Sequence, residues 1–561
     1  MKAHTATQQA KGRRLAIGIA TLLLALGAGT TTTAFADKSD NHSSAGRQTV
    51  TQPLGSMYSV VDQIGARALW EEGYTGTGVN VALIDTGFAP VEDLLDSGAV
   101  VAAVDLSAEA GVPEATYVDN YGHGTHMAGI IAGHDPEAVP ALAAEHPEWF
   151  VGVAPGAGIV SVKVADNTGG ADITQVIAGV DWAIDHAEEL DIRVINLSYA
   201  SGSILPYRTD PLTFTLERAW KAGIVVVVAA GNDGRDSRSL SSPAIDPYVI
   251  AVGAVEATAN GRFTVPTWAS SGDGTRNPDI AAPGAHIVSL RAPLSRIDIE
   301  HPEGYVDDEL FKGSGSSQAA AVVTGAVALL LDARPELTPD QVKAVLKDST
   351  TNARPRNPIF SGNGVIQVDQ AAETSVPRRS TQRWQQSDGR GSIEAARGPV
   401  HLVVNGEVIE GEYTVLGTRW TGTRWTGTRW TDGTWNGTRW TGGTWMGTRW
   451  TDATWTGTRW TGTRWTDSLW NGTRWTGTRW TGTRWTNDAW SNDSWTGTRW
   501  TGTRWTDDTW AGAYWDGTRW TGTRWTGTRW TDTVWNGTRW TGTRWTGTRW
   551  TDNIWSGGTW E

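Results

Sequence analysis

The sequence predicts an α/β protein built on a mainly parallel, doubly wound sheet, followed by a repeat tail that is either β-rich or disordered. Three observations carry this. Apolar strand-like runs alternate with helical runs from Val79 to Lys347, the pattern of strands joined by helical crossovers. The run Ile224 to Ala230 is almost wholly apolar, as a strand buried on both faces is. From position 420 to 560, Trp recurs at every fifth residue, 29 times without a slip.

Composition narrows the class of protein. The chain has 561 residues, more than one core needs, and its last 145 are too repetitive to be an ordinary domain. It has no cysteine, which excludes thiolate metal sites, disulfides and a cysteine nucleophile and leaves the redox compartment open. Net charge is −13 but uneven. Residues 417–561 hold 18 Arg against ten Asp and one Glu, a net of +7, and residues 37–416 carry −24. An acidic body argues against nucleic-acid binding, while the basic tail suits contact with the body or with an anionic surface.

In chain order, Lys11, Arg13 and Arg14 precede an apolar run from Leu15 to Gly29, and Ala34-Phe35-Ala36 supplies a small-x-small cleavage signal. This predicts a secretory signal peptide over 1–36 and no retained membrane segment, by the general route or, from Arg13-Arg14, the twin-arginine route. Residues 37–56 are polar and read as a mobile leader. Gln63 to Glu72 reads as a short helix. Val79 to Gly87 is a buried strand ending in Asp85, at the carboxyl end where α/β sheets place functional groups; a solvated Asp opening a turn fits the same pattern. Asp119 to Gly133 places His123 between glycines at the start of a helical run, which leaves the imidazole exposed. Residues 134–150, with three prolines and several acids, look like an insertion.

Gly158–Val164, Arg193–Leu197, Ile224–Ala230, Val249–Val255 and Ala285–Leu290 read as further strands. Ile173–Glu189, Leu212–Ala222 and Thr338–Lys347 read as helices. Gly313-Ser314-Gly315-Ser316-Ser317-Gln318 opens small and polar, then runs apolar through Leu331. That is a loop feeding a buried helix, and a serine hydroxyl at such a junction lies where backbone N–H groups favour developing negative charge. Either serine could equally cap the helix. Residues 372–416 read as a linker with a β-hairpin around Asn405-Gly406.

Asp85, His123 and Ser317 stand in the order acid, base, nucleophile. A serine needs a base to be nucleophilic at neutral pH, and the base needs an acid to fix its tautomer. On Ala82-Leu83-Ile84-Asp85-Thr86-Gly87, Gly122-His123-Gly124-Thr125-His126 and Gly315-Ser316-Ser317-Gln318-Ala319, the chain resembles the subtilisin-like serine protease family from about Gln63 to Ala371. The resemblance implies a catalytic domain over 57–371, with Asp85 as orienting acid, His123 as general base and Ser317 as nucleophile. It implies an oxyanion hole of the Asn232 amide and the Ser317 backbone N–H, and a substrate edge at Ser198, Tyr199 and Ala200 that pairs with an extended peptide. It implies no cofactor; the family's calcium sites are not matched, with Asp93 as the one candidate. The chain departs from the family pattern at Ser316, Gln318, Ala321-Val322 and Ala200, which bears on efficiency and side-chain preference.

In the tail, mostly Thr-Gly-Thr-Arg lies between tryptophans. On a helix a five-residue period smears Trp around the axis; in a plain strand it alternates faces. The choices are a β-solenoid with one side per pentapeptide, a two-faced Trp sheet, or a disordered segment. Trp with Arg suits a cell-wall or polysaccharide surface. The sequence therefore predicts a secreted or cell-surface serine endopeptidase acting on protein or peptide substrates, the alternative being an adhesion protein in which the tail is the main function.

Overall fold

The computed structural model describes residues 52–420, apart from 111, 113, 114, 400, 405 and 416–418, together with the backbone of strands between Trp430 and Trp560. The signal peptide and residues 37–51 of the leader lie outside the described residues.

Six parallel strands form the centre: β1 (Asn80–Asp85), β2 (Val100–Asp105), β3 (Gly158–Lys163), β4 (Ile192–Leu197), β5 (Val225–Ala229) and β6 (Ile250–Ala257). Their order in the sheet is β2-β3-β1-β4-β5-β6. Ile280–Pro283 and Val365–Ile366 extend it in parallel beyond β6, and Thr350–Thr351 closes that edge antiparallel. β1, β3, β4 and β5 are buried almost residue for residue, as strands covered on both faces must be. Strand order reverses beside β1, whose neighbours are β3 on one side and β4 on the other. The crevice at the carboxyl ends of strands flanking such a reversal is where open α/β sheets bind ligands.

The core is completed by the helix Ser316–Ala333, apolar on every side and buried along nearly its whole length. It is the one described helix long and apolar enough to cross a membrane, and 83% of it is buried inside the fold. Ala285–Leu290 contributes its strand, Ile287–Leu290, to a separate antiparallel pair with Leu310–Gly313 rather than to the main sheet. The helical segment near Gln63–Glu72 is two short helices, Met57–Gln63 and Ala66–Glu71, divided at Gly65 with φ +76°. Ser56 caps the first of them.

The segment after Ala371 is packed along the body. The Tyr248 hydroxyl donates to Trp384 O at 2.6 Å, and Ser387 N–H donates to Glu217 Oε1 at 2.8 Å. Ile393 and Ala396 are fully buried in a short helix. The Arg397 guanidinium, also buried, pairs with Asp172 at 2.5 Å and donates to Tyr413 O at 2.7 Å. Val403–Val404 and Glu407–Val408 pair antiparallel around Gly406. Trp420, the first of the tail's tryptophans, is buried in the same core, its backbone N–H 2.7 Å from Glu412 O.

In the tail every described pairing is parallel and joins residues twenty apart, such as Trp430 with Trp450, Trp460 with Trp480 and Trp525 with Trp545. Four pentapeptides thus make one coil.

Candidate active site

Asp85 is the last residue of β1, and its carboxylate is buried. Its Oδ1 accepts from the N–H of Thr86 at 2.9 Å and lies 2.7 Å from His123 Nδ1. Thr86 Oγ1 in turn accepts from Gly124 N–H at 2.8 Å, which ties the end of β1 to the start of the helix His123–Ile131. That approach needs a glycine at 124: a Cβ there would lie 2.2 Å from Gly87 O. Asp119 holds the loop from the other side. Its Oδ1 accepts from Gly122 N–H at 2.7 Å, and its Oδ2 accepts from both the N–H and the hydroxyl of Thr125.

Burial pulls the pKa of His123 down, but the charge and hydrogen bond of Asp85, with Asp119 behind, outweigh it, and the net is above the ordinary 6.5. One turn on, His126 is pushed the other way, to about 4, by burial first and by His123 second. His126 is thus a neutral core residue, with Nε2 3.2 Å from Phe311 O.

Ser317 is the second residue of the long core helix and is half-buried. Ser316, fully buried, locks the helix start to the end of β5: its Oγ accepts from Gly231 N–H at 3.1 Å, and its N–H donates to Asn232 Oδ1 at 2.8 Å. With Oδ1 engaged, Nδ2 is the end of Asn232 left to donate outward. A Cβ built on Gly315 would sit 3.4 Å from Asn232 Nδ2 and 3.7 Å from Ser317 N, so the two donors border one space. The two helix starts meet across Gly313, where a Cβ would lie 3.4 Å from the His126 ring and 2.8 Å from Gln318 Nε2.

The Ser198 hydroxyl lies 3.3 Å from the carbonyl of Ser317. It is aimed by Asn196, whose Nδ2 is 3.2 Å away and whose Oδ1 accepts from Thr324 Oγ1 at 2.8 Å. Asn196 is fully buried in β4. Its one mark in the sequence is a lone amide in the apolar run Val194 to Leu197. Tyr199 is half-buried, and burial with the nearby Asp172 and Asp210 carboxylates raises its phenol well above its usual value. Ala200 is exposed on the loop beyond. The structure thus joins Asp85 to His123 directly, and Asn232 and Ser198 to the backbone of Ser316 and Ser317.

Asp93, the calcium candidate, lies near Asp135, Glu309 and Glu92. Burial and these three carboxylates raise its pKa to about 7. Among the described residues no three His, Cys, Asp or Glu side chains are grouped so that they could hold a metal ion.

Residues 76–372 match the Subtilase family. Serine protease AprX of Bacillus subtilis is 38% identical over 317 residues, which cover 54% of this chain and 67% of that protein. The subtilisin of Bacillus pumilus is 34% identical over 320 residues, 56% of this chain and 98% of that one. The crystal structure of fervidolysin from Fervidobacterium pennivorans is 29% identical with a TM-score of 0.46, covering 59% of this chain and 48% of its own. The chain belongs to the subtilase family and is a subtilisin-like serine endopeptidase.

Proposed function

We propose that this protein is a secreted endopeptidase working through Asp85, His123 and Ser317, with its repeat tail serving attachment to a cell-wall or polysaccharide surface. The observation that carries the catalytic reading is the 2.7 Å contact between Asp85 Oδ1 and His123 Nδ1. It supports a neutral imidazole with its proton on Nδ1, directed at Asp85, and the Nε2 lone pair as the base. His123 Nε2 takes the proton of Ser317 Oγ as that oxygen adds to the scissile carbonyl. The oxyanion is received by Asn232 Nδ2 and Ser317 N–H, a contribution of about 3–4 kcal/mol for one such donor in a subtilisin. His123 then gives its proton to the leaving amine, and water repeats the sequence on the acyl-enzyme. Ser198 and its neighbours Tyr199 and Ala200 form the edge against which the peptide is laid. The apolar run and Ala34-Phe35-Ala36 support export, and the +7 tail supports the attachment role.

Ser317→Ala tests the catalytic reading. Peptide hydrolysis should fall about a millionfold, the loss measured for a subtilisin's nucleophile, with unchanged thermal unfolding and no labelling by a fluorophosphonate. Turnover by the purified variant would refute the assignment.

A further inference from the structure

The tail's pairing register sorts its sequence in a way that the five-residue period hides. Strands pair residue to residue at a spacing of twenty, so positions twenty apart stack at the strand spacing of about 4.8 Å. Read at that spacing, the sequence from 417 to 556 divides into two alternating ten-residue halves. The first half, at 417–426, 437–446 and so on to 537–546, is Gly-Thr-Arg-Trp-Thr-Gly-Thr-Arg-Trp-Thr in six of seven sequence repeats. The seventh, 437–446, has Gly443-Thr444 and Met446 in place of the second Thr-Arg and the final Thr. These halves contain 13 Arg and no acid. The second halves vary freely and hold five Arg against all ten Asp of the tail.

Register puts like with like. In the invariant half Arg439 pairs with Arg459 and Arg459 with Arg479; in the variable half Asp432 pairs with Asp452, Asp532 with Asp552, and Arg529 with Arg549. Like charges on directly opposed residues destabilise a sheet unless a counter-charge is supplied. The acids of the tail cannot supply it in full: every Asp falls in the other half of the repeat, and there are ten of them against 18 Arg. From residue 437 on, the 11 Arg of the invariant half outnumber the net −5 of the other, so a second copy docked half to half would leave an excess of positive charge.

We propose that the invariant half of the coil is a binding track for a linear polyanion, a non-nucleotide polymer of repeating carboxylate or phosphate charge that lies along the coil axis and meets one Arg position per rung. This rests on the reading of the tail as an attachment element, and it names the chemistry recognised and the half of the coil that recognises it. The secretory leader places the tail among extracellular polymers, where acidic glycans and phosphate polymers are such partners.

The test uses the full chain carrying Ser317→Ala to prevent self-digestion. Two charge-matched variants are made in it: Arg439, Arg459 and Arg479→Gln in the invariant half, and Arg429, Arg449 and Arg549→Gln in the variable half. Binding to polygalacturonate and to inorganic polyphosphate is measured across salt concentrations. The first variant should bind about tenfold or more weakly, with the slope of log affinity against log salt reduced by about 2, as expected for three lost contacts to a flexible polyanion. The second should bind as the parent does. The stronger of the two probes identifies the charge type. Equal losses in the two variants would overturn the proposal, as would tighter binding to DNA of matched charge, or salt-sensitive self-association with no polyanion binding. Binding of both probes through Arg439, Arg459 and Arg479, with no retention on cell-wall material, would defeat the attachment reading and leave this inference standing.

Discussion

His123 is set by two opposed forces: burial, which favours the neutral ring, and the charge of Asp85 at 2.7 Å, which favours the cation and prevails. The base must be neutral to act, so the acid limb of kcat/KM should lie above pH 6.5, the ordinary histidine value. The same raised pKa means that the folded state holds its proton more tightly than the unfolded chain does. This contribution to stability is full below about 6.5 and is lost as pH rises through the folded value. Asp85→Asn should lower kcat on the order of 10⁴-fold and move the acid limb downward. A pH–rate profile whose acid limb stays in place in that variant would mean that Asp85 is not what tunes His123. At this scale the sequence was most legible. Glycines and short polar residues around Asp85, His123 and Ser317 mark tight turns at element ends, and those residues lie where β1 and two helices begin or stop. Asn196 showed only as a lone amide in an apolar strand; its role was not legible, because it arises when Thr324, 128 residues on, closes on it opposite Ser198.

The strap formed by residues 376–420 shows how an element escapes sequence reading. Its composition is polar and carries prolines and arginines, which resembles a linker, yet Ile393, Ala396 and Trp420 are buried while Trp384, Val403 and Val408 stay exposed. The strap is held by polar anchoring rather than by a periodic apolar face. Arg397 is the centre of that anchoring: it reaches Asp172, the capping residue of the helix Ile173–Asp185, and the carbonyls of Gly411 and Tyr413. The strap also touches the loop beyond the substrate edge, where Ile204 N–H donates to Ala395 O at 3.3 Å. Arg397→Ala leaves Asp172 buried without its partner, so unfolding free energy should fall by about 3–5 kcal/mol. Chemical denaturation measures this, and a loss under about 1 kcal/mol would show that the strap is not anchored there. β2 escaped for a different reason. Val100 to Val104 is a short apolar run, but two of its five residues are Ala, which strands disfavour, and at the sheet edge it is only partly covered.

At the scale of the whole chain, the question is where the catalytic body stops. The start of the pentapeptide run suggested a boundary after residue 416, but the packing runs further. Trp420 is buried among the body's apolar side chains, its backbone N–H donates to Glu412 O, and Glu412 Oε2 accepts from Ile393 N–H at 3.2 Å. The first tryptophan of the run thus closes the strap against the helix that carries Arg397. Losing a buried indole costs about 3–5 kcal/mol, so two truncations that differ by six residues should behave differently. A chain ending at residue 422 should unfold as the full chain does and hydrolyse a short soluble peptide at the full rate, since Asp85, His123, Asn232 and Ser317 all lie far upstream. A chain ending at 416 should be less stable by about 3 kcal/mol, while keeping its rate at temperatures where it is folded. Both should lose retention on cell-wall material. Urea unfolding followed by near-ultraviolet circular dichroism, beside the peptide assay, checks all of this. Equal stability of the two truncations would place the boundary at 416 after all. A folded 422-residue chain that fails to cleave the peptide would mean that the coils beyond it take part in the chemistry.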